Sequence, residues 1–186
     1  MIKFIQDTNE YTFRNEPSEV TLNELSKITD IMIDSNTTWT SKWMRVIELL
    51  GSKELVNVID EDNLINAIEN FNVTEVGAEI TETIEVNGRT YSCVVIDGRL
   101  KISGKQLDLI EGYIKKGSNF IPYIISVVYK DNDLGDKEHY ERAHIEHKAK
   151  LFGKSIMADV ATPITTQLSV KLADIFDRMS KLNAKA

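Results

Sequence analysis

Two six-residue stretches, offset by 82 positions, carry the same helix-starting chemistry and constrain the fold more than any other feature of the chain. Val20-Thr21-Leu22-Asn23-Glu24-Leu25 and Ile102-Ser103-Gly104-Lys105-Gln106-Leu107 share one order of residue types: apolar, hydroxyl, two spacers, Glu or Gln, apolar. In that order the hydroxyl accepts from the backbone N–H three residues on, the longer side chain reaches back to the N–H of the cap, and the flanking apolar residues clamp together. A helix is expected to begin at each stretch. The apolar residues that follow keep the same register, with Ile28, Ile31 and Met32 falling on Ile110, Tyr113 and Ile114.

A β-hairpin is expected before each helix. Thr83 to Val86 and Thr90 to Ile96 are β-rich runs on either side of Asn87-Gly88-Arg89, where Asn-Gly readily takes the positive φ angles of a tight turn, and Asp97-Gly98 makes a second turn. In the first half, Lys3 to Ile5 and Tyr11 to Phe13 flank a polar turn. A second amphipathic segment follows each helix, Trp43 to Leu50 and then Pro122 to Tyr129, and a third helical stretch ends in Phe71 and in Phe152, at an offset of 81. The reading is an α+β fold of two pseudo-repeated units, each a β-hairpin followed by helices, over residues 1–80 and 81–186, with a C-terminal helix added to the second. Neither unit would bury its hairpin and helices well alone, so the two are expected to share a core or dock face to face.

The C-terminal helix is expected to run from Thr162-Pro163-Ile164 to about Leu182, with Pro163 in its first turn. Leu168, Leu172, Ile175, Met179 and Leu182 alternate four- and three-residue steps and form a seam. That seam can pack on its own domain or be offered to a partner chain. Trp39 and Trp43 stand four apart, ahead of Met44 and Ile47, and can likewise anchor a partner or fill the core. The partner-contact candidates are therefore Trp39, Trp43, Leu168, Leu172, Ile175 and Met179.

Charge separates the halves. Residues 1–80 hold 6 basic and 15 acidic residues, a net of -9, and residues 81–186 hold 16 and 14, a net of +2. An overall charge of -7 argues against a wholesale polyanion binder. The N-terminal MIKFIQDTNE lacks the basic and long apolar regions of a signal peptide, and no apolar run approaches the length of a membrane span, so a protein of the cytosol is expected. The single cysteine, Cys93, leaves no disulfide framework and sits in an apolar run as a small buried thiol.

No pattern identifies a reaction, a cofactor or a metal. His139, His144 and His147 lie on one expected helix from about Asp136 to Phe152. His144 and His147, with Glu141, have spacing that permits a transition metal, but the interspersed Arg142, Lys148 and Lys150 make a solvated, salt-laced face the simpler reading. Asp131-Asn132-Asp133-Leu134-Gly135-Asp136 fails as a calcium loop, because Arg142 would fall where the bidentate acid belongs. It reads as a polar turn between helices. Asp60-Glu61-Asp62 reads as an acidic first turn. Lys101, Lys105, Lys115 and Lys116 gather near Tyr113, but a nucleic-acid site would want interleaved exposed aromatics and more arginine.

The order IEVNGRTYSCVVI, ISGKQLDLIEGYIKKG, NFIPYIISVVYKD, HYERAHIEHKAKLFGK and a terminal apolar helix, from about Ile84 to Leu168, resembles small tail assembly chaperone-like and virion morphogenesis proteins of tailed bacteriophages. The resemblance implies a noncatalytic protein that binds other phage structural or tail proteins, or further copies of itself, in the host cytoplasm or the virion. It supplies no catalytic residues. The alternative reading is a regulatory or nucleic-acid-associated module using the more basic second half.

Overall fold

Alternation of apolar and polar residues at the N-terminus gives a hairpin of β1 (Ile2–Gln6) and β2 (Asn9–Phe13), antiparallel with Ile2 opposite Phe13. It turns Phe4 and Phe13 inward and leaves Ile5 outside. A 3₁₀ turn at Pro17–Glu19 leads to α1 (Leu22–Ile33), α2 (Trp39–Leu50), α3 (Lys53–Val58) and α4 (Glu61–Glu69). The second half opens with β3 (Thr83–Val86), β4 (Arg89–Ser92), β5 (Val95–Ile96) and β6 (Arg99–Leu100). Then follow α5 (Gly104–Lys115), α6 (Ile121–Val128), β7 (Lys130–Asp131), α7 (Asp136–His139), α8 (Arg142–Ser155) and α9 (Ala158–Asn183). The computed structural model describes residues 1–6, 8–73, 79–117 and 119–183. The class is α+β: small antiparallel sheets, β1-β2, β3-β4-β7 and β5-β6, set among helices. Among the described residues no helix is long and apolar enough to cross a membrane.

Local chemistry accounts for the turns and caps. Asn87 and Gly88, and again Asp97 and Gly98, take positive φ at the two tight turns. Thr21 Oγ1 accepts from the Glu24 N–H at 3.4 Å, and the Glu24 carboxylate accepts from the Thr21 N–H at 3.0 Å. Ser103 Oγ accepts from the Gln106 N–H at 3.2 Å, and Gln106 Oε1 accepts from the Ser103 N–H at 3.0 Å. Both capping boxes are thus formed, and each starts a helix of 12 residues. Each cap is also tied to a distant element. Arg14, just past β2, grips the Glu24 carboxylate with two bonds of 2.7 and 3.1 Å, and Gln106 donates to the Val127 carbonyl of α6 at 3.1 Å. Asp60 caps α4 by accepting from the Asn63 N–H at 2.8 Å, with Glu61 and Asp62 in the first turn.

Beyond the caps the two halves part company. The segment expected to be amphipathic in the second half, α6, has 7 of its 8 residues buried. It packs against α1, α5, α8 and α9, so a helix buried nearly all round sits at the centre of the molecule, with its Ser126 hydroxyl donating to the Pro122 carbonyl. Phe71 lies beyond the end of α4, whereas Phe152 lies inside α8, so the third stretches do not end alike. One apolar cluster runs from Phe4 to Leu168 and draws on both halves. Duplication of a hairpin-plus-helices unit is therefore a proposal resting on the matched caps.

Two element boundaries differ from expectation for tertiary reasons. The helix expected from Asp136 to Phe152 is broken at Tyr140 and Glu141 into α7 and α8, which lets His139 turn into the interior. The last helix begins at Ala158 rather than near Thr162, because the Leu22 N–H donates to the Ile156 carbonyl at 3.0 Å and the Ala158 N–H to the Val20 carbonyl at 2.7 Å. This bridge between Thr21 and Met157 fixes the helix start, and Pro163 consequently stands inside α9 rather than in its first turn.

Candidate functional site

The two tryptophans have different surroundings. Trp43 is 5% exposed, packed edge-on to Phe71 with ring centres 5.1 Å apart, and is a core residue. Trp39, in the first turn of α2, is 63% exposed and meets Trp43 edge-on at 5.7 Å. A large aromatic held by a buried partner and open on its other side is suited to contact another protein. Ile33, at the end of α1 just before the loop to α2, is also exposed.

The seam on α9 divides along its length. Ala158, Ala161, Ile164 and Leu168 are buried in the core. Leu168, expected as a contact residue, is thus a packing residue at 2% exposure. Leu172 is half-buried, and with Leu168 it borders an apolar groove of about 380 Å³ that Ile114, Phe120, Ile121 and Ile124 complete. Val170 is 67% exposed. The helix continues to Asn183, and the side chains of Ile175 and Met179 lie outside the described ones. Among the described residues, the groove bordered by Leu168 and Leu172 includes neither tryptophan: α2 packs on α1 and α3, and α9 on α6, α1, β6 and the 3₁₀ turn.

The histidine-bearing segment is not the solvated face its sequence suggests. His139 is wholly buried and Lys148 is 1% exposed. Lys148 Nζ donates to the Tyr129 carbonyl at 2.7 Å and lies 3.1 Å from His139 Nδ1, with the Tyr91 and Phe152 rings flanking it at 5.9 Å. When Lys148 is protonated it can only donate, so Nδ1 then accepts and the ring hydrogen sits on Nε2, facing the Val127 carbonyl at 3.4 Å. Burial pushes the Lys148 ammonium down to about 7 against the opposing pull of Asp131, while burial and then the Lys148 charge push His139 down to about 4. Asp131, itself buried, pairs with Arg89 at 3.1 Å and accepts from the Asp133 N–H, so the turn expected there begins as a strand on β4.

This buried cluster was missed although its signal was present. Lys148 falls between Ile145 and Phe152 at helical spacing, on the stripe that faces inward. His144 is half-buried and faces His139 with ring centres 6.2 Å apart, whereas His147 and Glu141 are exposed. Among the described residues no group of three or more His, Cys, Asp and Glu side chains stands where it could hold a metal ion.

The lysines expected as a cluster near Tyr113 disperse. Lys116 lies 4.5 Å over the Tyr113 ring, Lys105 lies 4.6 Å over Tyr140, and Lys115 reaches Glu111 at 3.9 Å. Lys101 instead joins Arg99 and Lys171 beside the β5–β6 hairpin. Cys93 is a buried free thiol lying 3.7 Å from the Thr81 carbonyl, and burial raises its pKa. The polar groups of the second half thus divide into a sealed cluster around Lys148 and an open basic surface at the β5–β6 hairpin. No family model matches the chain, and neither a curated protein nor a solved structure matches it.

Proposed function

We propose that the protein is a noncatalytic protein–protein interaction component of tail or virion assembly in tailed bacteriophages, structural or chaperone-like. Its partners are other phage structural or tail proteins, met in the host cytoplasm. The observation that carries this reading is the division of α9. The helix enters the core up to Leu168, and 15 further residues, about 22 Å of helix at 1.5 Å per residue, continue to Asn183. Along that extension the sequence keeps the Leu172, Ile175, Met179, Leu182 spacing of a packing seam. Exposed Trp39 offers a second anchor. The phage setting rests on the resemblance of the segment order from Ile84 to Leu168.

The test is coexpression with the tail and capsid proteins encoded beside this chain. The full chain is expected to co-purify with at least one of them. A chain ended after Leu172 keeps every residue of α9 that is buried among the described side chains and is expected to remain folded by circular dichroism while losing that partner. Undiminished binding by the shortened chain would remove α9 as the contact element. Co-purification with none of the neighbouring proteins would overturn the assembly role.

A further inference from the structure

A hollow of about 570 Å³ opens where the β5–β6 hairpin meets α9, lined by Ile96, Asp97, Arg99, Leu100, Lys101 and Lys171. Its walls are braced. The Leu100 N–H donates to Gln167 Oε1 at 2.9 Å, Gln167 Nε2 donates to the Gly98 carbonyl at 3.1 Å, and Lys171 Nζ donates to the Leu100 carbonyl. Three cations therefore face one carboxylate on a fixed frame. Among the described residues none forms an ion pair with Arg99, Lys101 or Lys171. Burial, and then the charges of Lys101 and Arg99, hold the Lys171 ammonium below its ordinary pKa, as expected where like charges lack a counterion. Val94 and Ile96 on the hairpin and Val170 on the helix add apolar surface, at 55%, 49% and 67% exposure.

The complementary chemistry stands in the other half. On α4, Glu61, Asp62, Ile65 and Glu69 are exposed, while Ala67 faces the core. At 3.6 residues per turn these four exposed positions fall within an arc of about 100°. The result is an acidic helix face with Ile65 in its middle, 44% exposed. Among the described residues none forms an ion pair with Glu61, Asp62 or Glu69.

We propose that the basic hollow at the β5–β6 hairpin receives the acidic α4 face of a second copy of this chain. This rests on the reading of the protein as an interaction component and names one of its partners. Charge complementarity selects the occupant: the half that carries α4 has a net charge of -9 and the half that carries the hollow +2, and both surfaces have exposed aliphatic residues beside their charges. Two copies pair reciprocally about a two-fold axis, each hollow on the other's α4 face, or join head to tail into a ring or filament, and the mass reached distinguishes the two.

Charge reversal tests the contact by sedimentation velocity at near-physiological salt. The wild-type chain is expected to pass beyond monomer mass as its concentration rises through the micromolar range. Arg99→Glu with Lys101→Glu, or Asp62→Lys with Glu69→Lys, changes only exposed positions and is expected to weaken association about tenfold or more. Mixing the two doubly substituted chains pairs an acidic hollow with a basic helix and restores association. A wild-type chain that stays monomeric, association that survives either reversal, or a mixture that stays monomeric overturns the proposal. A monomer that still co-purifies with a tail protein through α9 refutes this contact and leaves the proposed function standing. An oligomer that co-purifies with none does the reverse.

Discussion

At the scale of single residues, Lys148 carries the largest electrostatic consequence. It is a cation held among α6, α7 and β4, and its neighbour His139 stays neutral to about pH 4. An unfolded histidine titrates near 6.5, so between pH 6.5 and 4 the unfolded chain binds a proton that the folded chain refuses. Stability that is present above pH 6.5 is lost as the pH falls through this window, by about 3 kcal/mol. Lys148 acts in the same direction at higher pH: its folded pKa of about 7 lies below its unfolded value, so its contribution is present only in alkali and is lost as the pH falls toward 7. Replacing Lys148 with Met removes the charge that repels a proton from His139. Urea unfolding of Lys148→Met is therefore expected to give a shallower loss between pH 7 and 4.5 than wild type, and an equal loss would show that burial alone sets the histidine. The lysine's place was legible in the inward stripe of α8. Its partners were not, because the carbonyls of Val127 and Tyr129 come from another element.

At the scale of elements, what was legible was local. Thr21 and Glu24, and Ser103 and Gln106, act across three residues, and both helices start where that chemistry puts them. What was not legible depends on contacts far away in the chain. The start of α9 is fixed by the strand-like bridge to Thr21, β7 exists only because β4 is there to pair with it, and α6 is buried on nearly every side because four other helices close around it. The contact of α1 with α8 is another such case. A Cβ on Gly153 of α8 would lie 2.2 Å from Asn23 Oδ1 of α1, so the glycine lets the two helices approach. Gly153→Ala alone is expected to turn the Asn23 side chain aside, so that the gain of up to about 1 kcal/mol that alanine brings to a helix interior is not fully realised. In an Asn23→Ala background the same change should be more stabilising. A double-mutant cycle by chemical denaturation checks this, and additive effects would contradict the close approach.

At the scale of the whole molecule, a shared apolar core binds the two halves while their outer surfaces keep opposite electrostatic character. The candidate contact residues divide the same way. Trp43 and Leu168 serve the core, Trp39 is exposed, and the extension of α9 is the contact proposed for partners. Their sequence spacing identified both as apolar seams but could not separate the two uses, since burial depends on which neighbours arrive. The protein is proposed to work through surfaces it offers to other chains, with the distal part of α9 foremost. Amide hydrogen exchange, compared between the free chain and its complex with whichever neighbouring protein co-purifies, is the sharpest test of this. The predicted result is slowed exchange along residues 170–183, with residues 158–168 unchanged because the core already holds them. Unaltered exchange along the distal part of α9 in a formed complex would contradict the account.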